Sequence, residues 1–405
     1  MKRRNSGLLF IFLSAIFYWF SYSMMRPMLA LYFADKGYDT ALVGIIMSVQ
    51  SIMPLLFAIP IGGLIDKIGP RRSVFAGTAV GVISCTMLLA GTMYDRIVLI
   101  IISQILYGVA TILIWSAIQA TISLSARLIE EKGASEKLLS NFTFVTSLAQ
   151  LVGPAAGGFF ADYGGFVSVF ILLVVFNVIG LLLSSWLPRE GRKSNREISF
   201  RFWKSYGTAY LLMRENKPYA GAIVLSAVLY VLVDARMTFV PLFMAEQSLT
   251  HSQIGTALAV SAAATMLVRP FVGLLLKWTS HHVIMSISIL FGGMCMFLLS
   301  IAPSYWLIAV AMFGWGICTG INQPMALIMV SAVLDEKNQG MGMSIRSLSN
   351  RIISGVNPLF FGSLSALLGL SFAFGGMGAV LLLFGSMYFM RKPISQSSDS
   401  SMKGH

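Results

Sequence analysis

Charge is what this chain has least of. Only 11% of its 405 residues are Asp, Glu, Lys or Arg, and 57% are hydrophobic. Soluble domains carry about a quarter charged residues, and a mean hydropathy of +0.80 excludes a soluble globular domain and leaves a polytopic membrane protein. Cysteine is scarce too. Cys85, Cys295 and Cys318 lie in apolar runs without CxxC spacing, which favours buried packing thiols over a disulfide framework or zinc site. The four histidines, His251, His281, His282 and His405, fall in loops, the interface or the tail, and form no metal or nucleophile–base constellation. No GxxxxGK[ST] occurs, so ATP-driven transport by this chain alone is not expected. No enzyme chemistry, cofactor or metal is expected.

Long apolar blocks are what the chain has in abundance. With ~20 residues needed to cross a bilayer, the hydropathy pattern predicts twelve spans: 7–33, 42–65, 73–93, 97–121, 141–161, 166–187, 218–243, 254–276, 283–302, 306–333, 344–368 and 370–390. Met1-Lys2-Arg3-Arg4 followed by an apolar run resembles the start of a signal peptide. The run reaches Phe33 without a small-residue cleavage pattern, so it is read as the first span.

The formal net charge of +13 invites a nucleic-acid reading, which the placement of the charges opposes. With the N-terminus inside, 22 of the 29 Lys and Arg fall in cytoplasmic segments, two outside (Lys36, Arg96) and five within spans. That is the positive-inside asymmetry. It predicts a multi-pass protein of the cell membrane with both termini cytoplasmic and no nucleic-acid partner.

Residues 188–217 are polar and basic, with Phe200, Phe202 and Trp203 interspersed, and serve as either an interfacial segment or a solvated linker. They divide the chain into a six-span bundle (1–187), a cytoplasmic linker (188–217), a second six-span bundle (218–390) and a cytoplasmic tail (391–405). A repeat supports the division. Leu31, Ala34, Gly44, Gly62 and Leu64 recur, at one constant offset, as Leu242, Ala245, Gly255, Gly273 and Leu275. Gly153-Pro154 in span 5 corresponds to Asn357-Pro358 in span 11. Repeated membrane halves of this kind build secondary transporters, with the substrate cavity between them.

Two motifs sharpen this reading. Gly62-x-Leu64-x-Asp66-Lys67-x-Gly69-x-Arg71-Arg72 joins spans 2 and 3, and Gly153-Pro154-Ala155-Ala156-Gly157-Gly158 lies in span 5. Gly62 permits close helix approach, Gly69-Pro70 is a turn signal, and Asp66 is an anion at a helix end, suited to a neighbouring helix N-terminus or a basic partner. Lys67, Arg71 and Arg72 also read simply as topology anchors. On these motifs the chain resembles the major facilitator superfamily, within it the drug:proton antiporter-like group of twelve-span bacterial transporters. The resemblance implies an all-α fold of two pseudo-symmetric six-helix bundles, and a latch in which Asp66 meets span 11 in the outward-open state. It also implies an antiport element at Gly153, Pro154, Gly157 and Gly158, although Val145 and Ala149 replace the upstream glycines of that motif. A bend in span 5 is the alternative reading. Where these antiporters carry a span 4 arginine, four residues before Gly108, this chain has Gln104.

Charges within spans are costly unless paired or facing water, and so mark function. They are Arg26, Asp234, Arg236, Arg269, Arg346 and Arg351. Asp234 is the sole carboxylate clearly inside a span. The repeat offset places it level with Ser23, within a helical turn of Arg26, which predicts an Arg26–Asp234 pair responsive to a proton or a substrate anion. Arg236 is left between interfacial snorkelling and function. Arg269 reads as structural, Arg346 as an anchor, and Arg351 as the deeper candidate. Gln104, Asn322 and Asn357 add polar candidates, with interhelical hydrogen bonding as their alternative.

Together these features predict a secondary active transporter of a small organic solute working by alternating access. The expected form is a monomeric, proton-coupled exporter in the lipid bilayer, leaning to an anionic or carboxylate-bearing metabolite such as an organic acid, amino-acid derivative or metallophore. A multidrug efflux pump is the alternative, and a non-transporting receptor or structural protein is the alternative of another class.

Overall fold

A computed structural model describes residues 2–127, 134–187, 213–302, 304–333 and 336–390. Most of the expected linker and all of the expected tail lie outside the described residues. Among the described residues the chain is helical throughout, with no strand.

The helices are Lys2–Asp35, Thr40–Ile68, Pro70–Met93, Ile97–Arg127, Ala134–Ser184, Lys217–Glu246, His251–Val268, Val272–Trp278, His281–Ser300, Tyr305–Val333, Glu336–Leu368 and Leu370–Met390. Ala134–Ser184 carries spans 5 and 6 together. It is broken at Gly165 (φ 68°, ψ 177°), where only glycine turns the chain without strain. Among the described residues eleven helices are long and apolar enough to cross a membrane, His251–Trp278 counted as one, and the broken one is long enough to cross twice. Span 8 is interrupted by a 3₁₀ turn, Arg269–Phe271, where Pro270 removes a backbone donor.

Helix ends are fixed by the residues that stand there. Asp39 accepts from the Ala41 amide to start span 2, and Thr250 with Gln253 forms a capping box that starts span 8. Gly69 (φ 86°) turns the chain between spans 2 and 3, with Pro70 at the first helical position. Lys67, Arg71, Arg72 and Lys277 lie at one end of the bundles, the basic end. Lys36, Asp95, Asp162 and His251 lie at the far end. There Lys36 Nζ meets Asp95 at 2.7 Å. That contact, with a hydrogen bond from Tyr32, holds the Asp95 carboxyl below the usual carboxylate range.

The two halves meet through spans 2 and 11, 5 and 8, and 1 and 7. Glycine makes the first two contacts possible. A Cβ on Gly44 would strike the Pro358 carbonyl, one on Gly255 the Pro154 carbonyl and one on Gly158 the His251 carbonyl. The Thr40 hydroxyl donates to the Gly362 carbonyl and accepts from Ser365 at 3.1 Å. Asp162 of the first half accepts from the His251 and Ser252 amides at 3.0 and 2.8 Å, and contacts His251 Nδ1 at 2.8 Å. All these contacts seal the far end.

Candidate functional site

A cavity of about 790 Å³ lies between the halves. It runs from Arg26 and Asp234 toward the basic end, where Ile122 and Leu139 line it and Leu139 is 40% exposed.

At the Arg26–Asp234 end of the cavity, span 1 meets spans 7 and 11. Arg26 Nη1 donates to Asp234 Oδ1 at 3.0 Å, and Asn357 Nδ2 donates to Asp234 Oδ2 at 3.1 Å. All three residues are buried. Asp234 is thus held by both halves. Arg26 Nε and Nη2 have no protein partner, so the guanidinium is paired on one side and undersatisfied on the other.

Arg236 differs from the snorkelling alternative. It is 5% exposed, lines the cavity, and its Nη1 donates to Ser261 Oγ at 2.7 Å, Thr265 Oγ1 at 3.3 Å and Thr319 Oγ1 at 3.4 Å. Ser261 and Thr265 are four residues apart on span 8 and so share one face. That shared face, with Thr319 on span 10, holds Arg236 inside. Arg269, expected to be structural, donates to Ser147 Oγ of span 5 at 2.9 Å and also lines the cavity. Arg346, expected as an anchor, lines it as well.

The first half contributes an aromatic wall. Trp19, Tyr22, Trp115 and Phe142 line the cavity. Trp19 and Trp115 pack edge to face at 4.9 Å, and Trp115 stacks on Phe142 at 6.2 Å. Tyr22, Tyr230 and Asn350 line the cavity without having been singled out from sequence, since one aromatic or amide on an apolar helix is indistinguishable from packing there.

The remaining candidates are dispersed. Asn322 lines the main cavity with its Oδ1 unpartnered. Arg351 lines a second, smaller cavity of about 210 Å³ with Tyr18 and Gln50. Gln104 is fully buried beside Ser103, to which its Nε2 donates at 3.2 Å, and does not line the main cavity. In the loop motif, the surroundings of Gly62 and of the Asp66 side chain lie outside the described residues. Lys67 and Arg72 are exposed, and Arg71 donates to the Ser185 carbonyl within the first half. In span 5, Gly153 packs on Ser23, a Cβ on Gly157 would meet Met28 Cγ at 2.9 Å, and Gly158 and Pro154 contact span 8. Cys85, Cys295 and Cys318 are buried and free. No group of three His, Cys, Asp or Glu able to hold a metal occurs among the described residues.

The family model described as Major Facilitator Superfamily matches residues 11–299 and 223–404. The chain belongs to the major facilitator superfamily. It is a transporter-family membrane protein and not an enzyme. The quinolone resistance protein NorA of Staphylococcus aureus (strain MSSA476) is 20% identical over 89% of this chain and 90% of its own length. The uncharacterized MFS-type transporter YkuC of Bacillus subtilis (strain 168) is 24% identical over 61% of this chain, and the match spans only 60% of YkuC. Among solved structures, the nucleoside transporter NupG superposes with a TM-score of 0.78 at 14% identity, covering 97% of this chain and 100% of NupG. A POT family transporter in complex with a thioalcohol-conjugated peptide gives 0.77 at 17% identity, covering 94% and 95%. These structures establish the shared fold alone.

Proposed function

We propose that this protein is a secondary active transporter that exports a small anionic organic solute in exchange for protons, by alternating access across the cell membrane. The observation that carries the reading is the Arg26–Asp234–Asn357 contact. It places the sole carboxylate lining the cavity, among the described residues, where the two halves meet. Protonating Asp234 removes the charge that holds Arg26, so a proton and the relative position of the halves are coupled through one group. The excess of arginine over carboxylate in the cavity favours an anion as the solute.

The positive-inside pattern supports a cytoplasmic basic end. On that orientation the far-end seal and the cavity's extension toward the basic end describe an inward-facing protein. The Asp66–span 11 latch is assigned to the opposite, outward-open state. Gly153, Pro154, Gly157 and Gly158 then serve the closed outer face, and a monomer suffices.

The test is solute movement in vesicles under an imposed pH gradient, across a panel of organic acids and drugs. The wild type moves at least one organic acid with accompanying proton flux. D234N loses pH-driven movement by about tenfold or more while keeping solute exchange without a gradient, the loss expected of a group worth about 1.4 kcal/mol or more of coupling. Retained pH-driven movement in D234N overturns the coupling role.

A second reading, broad multidrug efflux, is favoured by the likeness to NorA across 89% of the chain. Movement of several chemically unrelated drugs, cations among them, with no preference for acids decides for it.

A further inference from the structure

We propose, building on the anion-transport reading, that the solute is a flat aromatic anion. Its acid group is held by Arg236 on the second bundle, and its ring lies against Trp19, Trp115 and Phe142 on the first.

The cavity is chemically divided. Arg236, Arg269 and Arg346 all line it from the second bundle, whereas the Trp19–Trp115–Phe142 wall comes from spans 1, 4 and 5. Asp234 does not neutralise Arg236, because its two oxygens are taken by Arg26 and Asn357. Arg236 instead donates from Nη1 to three hydroxyls, and its Nε has no partner. Hydroxyls satisfy the direction of a hydrogen bond and leave the cation uncompensated, which is costly in a water-poor interior. A carboxylate arriving in the cavity supplies the missing charge and a charge-assisted acceptor. Arg269 adds positive field along the same wall.

Across the cavity, Trp19 and Trp115 sit at 80° to one another, and Trp115 lies within 14° of parallel to Phe142. Such a wall offers faces and edges to a ring, while the unpartnered Trp19 Nε1 adds one donor. A volume of about 790 Å³ accepts a drug-sized molecule. A solute with its ring on one bundle and its acid on the other contacts both moving parts, so its binding energy differs between the two states. A small aliphatic acid leaves the aromatic wall unused, and an aromatic cation meets the arginines unfavourably.

The experiment is calorimetric titration of the purified full-length protein in lipid nanodiscs with 2-naphthoate, 2-naphthamide, 2-naphthylmethylammonium and propionate. The proposal expects 2-naphthoate to bind at least about tenfold tighter than the other three. R236Q should weaken 2-naphthoate by about tenfold, R236K should hold it within about threefold, and W115A should weaken it by about tenfold. Equal binding of the amide or the ammonium overturns the proposal, as does no binding of 2-naphthoate. A monodisperse R236Q with wild-type affinity also overturns it. Should R236Q fail to fold, the ranking of the four probes on the wild type decides. Proton-driven transport of aliphatic acids alone overturns this inference and keeps the anion reading. Naphthoate binding without pH-driven movement of any anion removes the transport reading and supports the site.

Discussion

At the scale of single residues, Arg26, Asp234 and Asn357 share one buried contact while Arg236 stands apart from it. Breaking a buried ion pair from one side leaves a charge stranded, at a cost of about 3–5 kcal/mol, whereas removing both partners is far cheaper. R26Q and D234N should therefore each lower the thermal midpoint of the purified protein, and the R26Q/D234N double variant should recover most of the loss. Additive losses, read by a thermal-shift melt, would show that the contact carries no coupling energy. The pairing was legible in sequence because the repeat offset put Asp234 level with Ser23, a turn from Arg26. Arg236 was less legible. Its environment is set by Ser261, Thr265 and Thr319 on two other helices, and hydroxyls on apolar helices carry no signal of what they face.

Among helices, the far end is closed by backbone-to-backbone approach at glycine and by one carboxylate. Asp162 satisfies two amides at the N-terminus of span 8, where helix geometry leaves donors free and favours an anion. D162N keeps the shape and loses the charge. It should raise the population open at the far end by about fivefold, equivalent to about 1 kcal/mol for charge-assisted bonds at a partly exposed end. G44V should act in the same direction and more strongly, because its side chain displaces the Pro358 carbonyl of span 11. Accessibility of cysteines introduced in the cavity to a membrane-impermeant thiol reagent from the far end reads both. Unchanged labelling in G44V would mean that spans 2 and 11 do not form the seal. The sequence marked Gly44 and Gly255 as repeat partners. It could not say that each fits against the opposite bundle, since a helix reveals its apolar periodicity and not its neighbour.

For the whole molecule, closure at one end and a cavity running to the other fit one state of an alternating-access cycle. The opposite state is where Asp66 is proposed to latch. D66N should shift the population away from the state open at the far end and slow turnover, with solute affinity in the present state unchanged within about twofold. Spin-label distances between spans 2 and 11 at the basic end follow that population. An unaltered distance distribution in D66N would sink the latch.

The sequence by itself determined the membrane class, the twelve crossings, the halves and the family motif, because hydropathy, the placement of lysine and arginine, and an internal repeat are all written along the chain. Even the merged helix of spans 5 and 6 reverses at Gly165, within the polar break between the two expected spans. Only the tertiary structure decided which arginines share the cavity. It turned Arg236, Arg269 and Arg346 toward one space, set Arg351 in another, and left Gln104 outside the main cavity. The physical reason is that a charge in a span announces its cost locally. Its compensation comes from other helices, 25 residues away for Arg236 and Ser261 and 208 for Arg26 and Asp234, and that partnership exists only after the bundles have packed.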